Sequence, residues 1–495
     1  MAETSSKFPH PLYEKYVLQP FFRDAETYYY EPMLAANRAH VVMLTQCGIM
    51  SEENAKALLL ALDDVEEKGL KNLGYQSGVE DLFFTIEQRL IEHAGVAYGG
   101  NIQLARSRND LGYALTRLAL RPLLLKTIKD LIALRRSLHA LASEHTQTVM
   151  PGYTHTQPAQ PSTMAHYLAG ILSVLERDTK RLQFAYNTNN ESPLGAAALT
   201  GTGFPVDREL VASLLGFGGV MQSTYDSIAS SDNLTDTASA CTSIGINLSR
   251  FVHDMLFWAM QESSAIRIDD SFIQISSIMP QKRNPVVLEH IRARISRMIG
   301  FANAVVLQCH SIPFGDTQDI EDEIFPQLFG SLETAQEILQ LYAAVIDTLH
   351  INVDHLLQRA IAGFTTVTEL ADTLVREAHL PFRQAHSIVS KTVNYALANH
   401  LAPADITAEV LATVSTEVLD SPLELDETIV QAALDPVAFV NKRTGIGGTS
   451  PEATQAVLDQ QAKDIDADED WLSMTNQRLT DADAQLKAAV DRLLV

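Results

Sequence analysis

Apolar residues recur at helical spacing along nearly the whole chain, and strand-type alternation is scarce, so the pattern predicts an all-α protein. The run SEENAKALLLALDDVEEKGL opens on Ser51 as an N-cap, carries acids in its first turn and sets Ala55, Leu58, Leu59 and Leu62 on one face. Over 111–145 the apolar residues are dense enough for a long helix buried on more than one side, which Pro122 should kink or divide. Further long helices are expected over 163–185, 232–262, 285–306 and 327–360, and five such helices predict a bundle. Between them lie polar segments rich in Gly, Pro, Ser and Asn, at 100–110, 148–162, 192–208, 264–285 and 311–323. Rigid helices fix the ends of such loops, so this is where a bundle places chemistry. After Gly363 the texture changes to that of a smaller helical unit. The expected organisation is an N-terminal helical domain (1–110), a central long-helix bundle (111–362) and a small C-terminal helical domain (363–495).

Charge narrows the partners. Lys and Arg number 37 against 61 Asp and Glu, a formal charge of −24, which lacks the basic footprint that neutralises nucleic-acid phosphates. The three cysteines, Cys47, Cys241 and Cys309, are odd in number and widely spaced, which fits a reducing compartment. No leader pattern opens the chain and no stretch nears ~18 uninterrupted apolar residues, so a cytoplasmic protein with no membrane partner is expected. The reading calls for no cofactor and no metal.

Three loops carry candidate chemistry. In Ser276-Ser277-Ile278-Met279-Pro280-Gln281-Lys282-Arg283-Asn284-Pro285, two prolines bracket a lysine and an asparagine, with two hydroxyls just before. A serine acts as a base only if its alkoxide is stabilised; the Lys282 ammonium does that, and Asn284 donates hydrogen bonds to an anionic substrate. The same residues also read as a polar helix N-terminus. Arg106-Ser107-Arg108-Asn109-Asp110 reads either as a capped, solvated helix start or as a carboxylate clamp built from Arg and Asn donors at a helix N-terminus. Gly152-Tyr153-Thr154-His155-Thr156-Gln157-Pro158 carries a histidine that becomes an acid, base or relay only if the other loops meet it.

The SSIMPQKRNP run resembles the signature loop of the aspartase/fumarase superfamily. ARSRND, GYTHTQPAQP, SPLGAAALTGTGFPVDR, ELADTLVREAHLPFRQAH and IGGTSPEA resemble the argininosuccinate lyase branch, and the likeness runs from roughly Glu26 onward. The resemblance implies three helical domains, a homotetramer whose helices pack into one central core, and active sites shared between three subunits. It implies reversible elimination of an amine from a small-molecule N-succinyl substrate, with release of fumarate. Residue by residue, it makes Ser276 the catalytic base with Ser277 its neighbour, and has His155 assist proton movement. Lys282 and Asn284 then hold the substrate carboxylate and aci-carboxylate intermediate, and Ser107, Arg108, Asn109 and Thr154 bind substrate.

The pattern departs from the branch at the amine. Where relatives resemble P-x-x-Y-N-x-D-x-Q-E-D-K, an ungapped match from Pro313 puts Asp316, Glu321 and Ile324 at the Tyr, Gln and Lys. The family's Asp in an E-D-I element is Met33, and its His-Thr before R-S-R-N-D is Gln103-Leu104. The succinyl half is intact and the amine half rebuilt, with Asp316 and Glu321 facing the amine. The leading expectation is a carbon–nitrogen lyase for an aminopolycarboxylic acid derived from a diamine. Argininosuccinate cleavage and a non-catalytic, crystallin-like structural role are the alternatives.

Overall fold

The computed structural model describes residues 8–69 and 74–495; the first seven residues, which open the stretch read as leaderless, and the side chain of Glu321 lie outside them. Six long helices make the frame: α1 (Arg108–Glu144), α2 (Met164–Asn189), α3 (Asp232–Ala259), α4 (Val286–Gln308), α5 (Phe325–Asp347) and α6 (Pro451–Leu494). The first five close a ring, each packed on the next and α5 back on α1. Their inward faces form one core, from Leu120, Leu124 and Ile128 on α1 to Leu332 and Ile338 on α5. No helix among the described residues is long and apolar enough to cross a membrane.

Helix ends follow their caps. Ser51 accepts from the Asn54 backbone N–H at 3.2 Å, as its position predicts. Ser107 and Asp110 form a reciprocal capping box at the start of α1. Pro122 does not divide that helix, which runs unbroken for 37 residues, or about 55 Å, with the proline exposed on its outer side. The expected single stretch at 327–360 is two helices. They part at a short extended segment in which His350–Ile351 pairs antiparallel with Ile266–Arg267.

The 148–162 loop is a β-hairpin, β1 (Val149–Thr154) with β2 (Gln157–Thr163), turning on His155 and Thr156. A two-residue turn of this kind needs left-handed backbone at both positions, which Asn-Gly favours and His-Thr does not. Their φ values are +51° and +61° all the same.

A second core of twelve buried residues, from Leu370 to Leu434, makes the small domain after Gly363. Helix α6 does not join that core, although its place in the chain groups it there. It lies along α1 and α2 and then reaches the N-terminal helices, where Leu486, Ala489 and Val490 complete the core formed with Leu34, Leu58 and Leu62. The Asp468 carboxylate pins it: one oxygen accepts from Arg135 at 2.6 Å, the other from Lys180 at 2.6 Å and Gln183 at 2.8 Å. Asp468 and Arg135 are both essentially inaccessible, and removing one partner of a buried pair strands the other charge. Asp468→Ala should therefore cost about 3–5 kcal/mol of subunit stability, read from the denaturation midpoint; a shift within error would show the pair to be dispensable.

Candidate active site

Alternating helix directions sort the polar loops to the two ends of the ring. At the near end, the Asp110 carboxylate accepts from the Gly195 and Ala197 N–H groups at 2.9 and 3.0 Å, tying the start of α1 to the loop after α2. Asn233 donates to Asn189 at 3.1 Å, so α3 also starts here. The 311–323 loop closes this end, where Asp316 and Arg108 line one cavity. At the far end, Tyr153 of the hairpin packs edge-on to Phe257 of α3 with ring centres 5.5 Å apart, and the 264–285 and 348–352 segments join it through Ile266–Ile351 and the Asn352 N–H bond to Ala265.

The expected site residues divide accordingly. Ser107, Arg108, Asn109 and Asp316 stand at the near end; Thr154, His155, Ser276, Ser277, Lys282 and Asn284 stand at the far end. Ser107 caps α1, donating from its hydroxyl to Asn109 Oδ1 at 2.8 Å. Arg108 pairs with Asp81 at 3.0 Å and Glu80 at 3.5 Å, and lies over the Phe84 ring at 4.8 Å. Thr154 and His155 sit exposed at the hairpin tip. The left-handed backbone of a histidine there is the kind of strain found where a side chain must be held in a set direction.

In the signature loop the half-buried Ser276 Oγ accepts from the Met279 N–H at 3.1 Å and the Ile278 N–H at 3.4 Å. Two backbone donors on one hydroxyl oxygen favour its deprotonated form, as the base role demands. The exposed Ser277 hydroxyl makes no hydrogen bond among the described residues. The loop folds back on itself, Gln274–Ile275 pairing with Arg283–Asn284, which sets Lys282 and Asn284 on a cleft shared with Arg267, Arg283, Arg292 and His350. Glu289 also lines this cleft, and Asp270 pairs with Arg267 and Arg283; Lys282 and Arg292 still leave a net positive local field in a chain of charge −24, suited to a dicarboxylate.

The near-end cavity, about 200 Å³, is rimmed by acids: Asp24, Glu80, Asp81, Asp316 and Asp322. Met33 lines it as well, so two positions where this chain departs from the branch, 33 and 316, converge in space. One Asp316 oxygen is buried and has no hydrogen-bond partner among the described residues, and burial raises its carboxyl above the usual range against the pull of Arg108. Asp322 was not anticipated. Burial and the neighbouring Asp81 and Glu323 charges push its carboxyl up to about 7. Ile324, expected to take a lysine's place beside the amine, is instead fully buried in the bundle core. The cause is a single wide turn over Asp319–Glu323, which aims Gln318 and Asp322 at the cavity and turns Ile324 inward.

Residues 19–300 match the lyase family model and residues 364–441 the argininosuccinate lyase C-terminal model. The chain is 35% identical over 458 residues to argininosuccinate lyase of Methanosarcina acetivorans, covering 92% of each chain. It is 37% identical over 457 residues to that of Methanocorpusculum labreanum, covering 92% of this chain and 91% of the other. The chain belongs to the argininosuccinate lyase branch of the aspartase/fumarase superfamily. With membership comes the reaction class, a carbon–nitrogen lyase that releases fumarate. Among solved structures it is similar to EDDS lyase in complex with formate, at a TM-score of 0.88 and 29% identity over 98% of this chain and 96% of that one. An EDDS lyase variant with bound fumarate matches at the same TM-score and identity, over 99% and 97%.

Proposed function

We infer that this lyase eliminates a diamine, or an amine bearing a second cationic group, from an N-succinyl substrate, as in aminopolycarboxylic acids of the ethylenediamine-disuccinate type. The acid-rimmed cavity beside Arg108 carries this reading. A bound arginine would bring its α-carboxylate toward Asp316 and Asp322, whereas a second ammonium meets attraction there. Likeness to EDDS lyase over nearly the full chain supports it. In the reaction, the Ser276 alkoxide removes the proton from the carbon next to the distal carboxylate. The electron pair moves into that carboxylate, giving an aci-carboxylate held by Lys282 and Asn284. Its collapse expels the amine by breaking the C–N bond, the nitrogen gains a proton, and fumarate remains. Ser107, Arg108, Asn109 and Thr154 orient the substrate, and His155 assists proton movement.

The test is addition of amines to fumarate, followed by absorbance. Ethylenediamine or a homologue should exceed arginine in kcat/KM on the order of a hundredfold, the worth of about 3 kcal/mol of like-charge cost. Efficient cleavage of argininosuccinate with none of the diamine adduct would reject the specificity. Asp322 supplies a second check. Its carboxyl is neutral below about pH 7 and charged above it, so butane-1,4-diamine, doubly protonated throughout, should bind more tightly as pH rises from 6 to 8, and Asp322→Asn should flatten that rise. A pH-independent Kd in the native enzyme would remove Asp322 from amine recognition.

The near-end and far-end groups are separated by the length of α1, so one subunit cannot supply both. We propose a homotetramer in which near-end loops of one subunit meet far-end loops of others. The single chain exposes Phe184, Ile246 and Leu307 on three of its bundle helices, at 63%, 50% and 72% of their surface, large apolar side chains that neighbouring copies would cover.

A further inference from the structure

The cavity beside Arg108 has a second character, set by rings rather than charges. Tyr28 packs on Phe329 with centres 4.0 Å apart, Tyr29 stands edge-on to Phe325 at 5.3 Å, and Phe325 stacks on Phe329 at 5.6 Å. All four line the cavity, joined by the half-buried Phe21, two turns before Tyr28 on the same N-terminal helix. The rings of Tyr28 and Tyr29 are held by their hydroxyls: Tyr28 donates to Glu333 at 3.0 Å, and Tyr29 lies 3.3 Å from the Thr116 hydroxyl. Met33 adds a thioether at 3% exposure. The chamber is therefore a preformed apolar wall with carboxylates along one rim.

A two-carbon diamine satisfies the rim and leaves the wall wet. Phe325 and Phe329 are already buried behind the half-buried Phe21, Tyr28 and Tyr29; a compact polar amine gains nothing from the surface those three leave open, whereas a hydrocarbon spacer or an aryl ring removes it from water, and an ammonium held near a ring face gains further attraction. Resting on the diamine reading above, we propose that the amine taken by this chamber has an aromatic or long hydrocarbon body, packed against Phe21, Tyr28 and Tyr29, with its second cationic end at Asp316 and Asp322. The amine-side residues thereby select for hydrophobic diamines, and the distance from the ring wall to the acid rim sets how long a spacer is accommodated.

The native enzyme tests this directly. Addition to fumarate is measured for ethylenediamine, butane-1,4-diamine, hexane-1,6-diamine and 1,4-bis(aminomethyl)benzene, with arginine alongside. The kcat/KM should climb by about fourfold per added methylene while the spacer still gains buried contact, and the aryl diamine should exceed ethylenediamine by more than tenfold. Phe21→Ser, which trims a half-buried wall residue rather than a core one, should lower the ratio of aryl diamine to ethylenediamine. A flat or falling series in which every diamine still outperforms arginine overturns the hydrophobic selection and leaves the diamine reading standing. Arginine outperforming every diamine overturns both.

Discussion

Replacing Ser276 by alanine should lower elimination by about 10²–10⁴-fold, the range that a positioned general base contributes, while the subunit keeps its fold and assembly. The loop that carries it is outside the core: Ser276 is half-buried and Ile278 and Met279 beside it are exposed, so truncation leaves packing intact. The hydroxyl is singled out by its two backbone donors, which the adjacent Ser277 lacks. Ser277→Ala is the paired measurement, expected to reduce turnover far less. Equal losses in the two variants would leave the base unassigned to either hydroxyl by this argument, and unchanged turnover in Ser276→Ala would reject its role outright. The loss should fall on kcat rather than KM, because the base acts on a proton that moves only after substrate is bound.

The second large effect is a gain. Asn109→Ala and Ser276→Ala subunits, each inactive alone, should recover activity when mixed and allowed to exchange. Asn109 opens α1 at one end of the ring and Ser276 lies in the loop at the other, so in a shared site the two come from different chains. Random mixing at equal amounts then leaves about a quarter of the sites with both groups native. Homotetramers of either variant stay inactive, so the recovered activity should rise and fall with the mixing ratio and peak near equality. No recovery after exchange has been verified by mass would mean that each site draws both residues from a single chain, which the length of α1 makes geometrically hard to arrange.

Much of this fold is legible in the sequence. Helical periodicity located all five bundle helices to within a few residues at most ends, because their inward faces are continuous apolar stripes that only a helix can bury together. The residue types of the signature loop and the RSRND segment read equally as capped helix starts; it is their likeness to the family that marks them as candidate chemistry. What escaped was backbone geometry that leaves little mark in composition. The hairpin turns on His155 and Thr156, neither of which announces left-handed backbone. The parting at 348–352 interrupts an apolar pattern that runs straight through it. The wide turn at Asp319–Glu323 decides which side chains face the cavity, so an ungapped match of letters puts Ile324 beside the amine, whereas Asp322 lines the cavity and Ile324 is buried in the core. The aromatic wall was missed for another reason: Phe21, Tyr28 and Tyr29 read as ordinary apolar positions, and only their meeting with Phe325 and Phe329, some three hundred residues on, makes them a surface.

Helix α6 carries a consequence for how the molecule is made. The core of the N-terminal helices contains Leu486, Ala489 and Val490, and Lys56 reaches the backbone carbonyl of Val495 at 3.4 Å. During synthesis the N-terminal helices emerge first yet wait for more than four hundred further residues before their last apolar partners exist. Until then Leu34, Leu58 and Leu62 are incompletely covered, an interval in which chaperones or a neighbouring nascent chain meet an open hydrophobic face. The order of translation is thus the reverse of the order in which this part of the protein becomes whole.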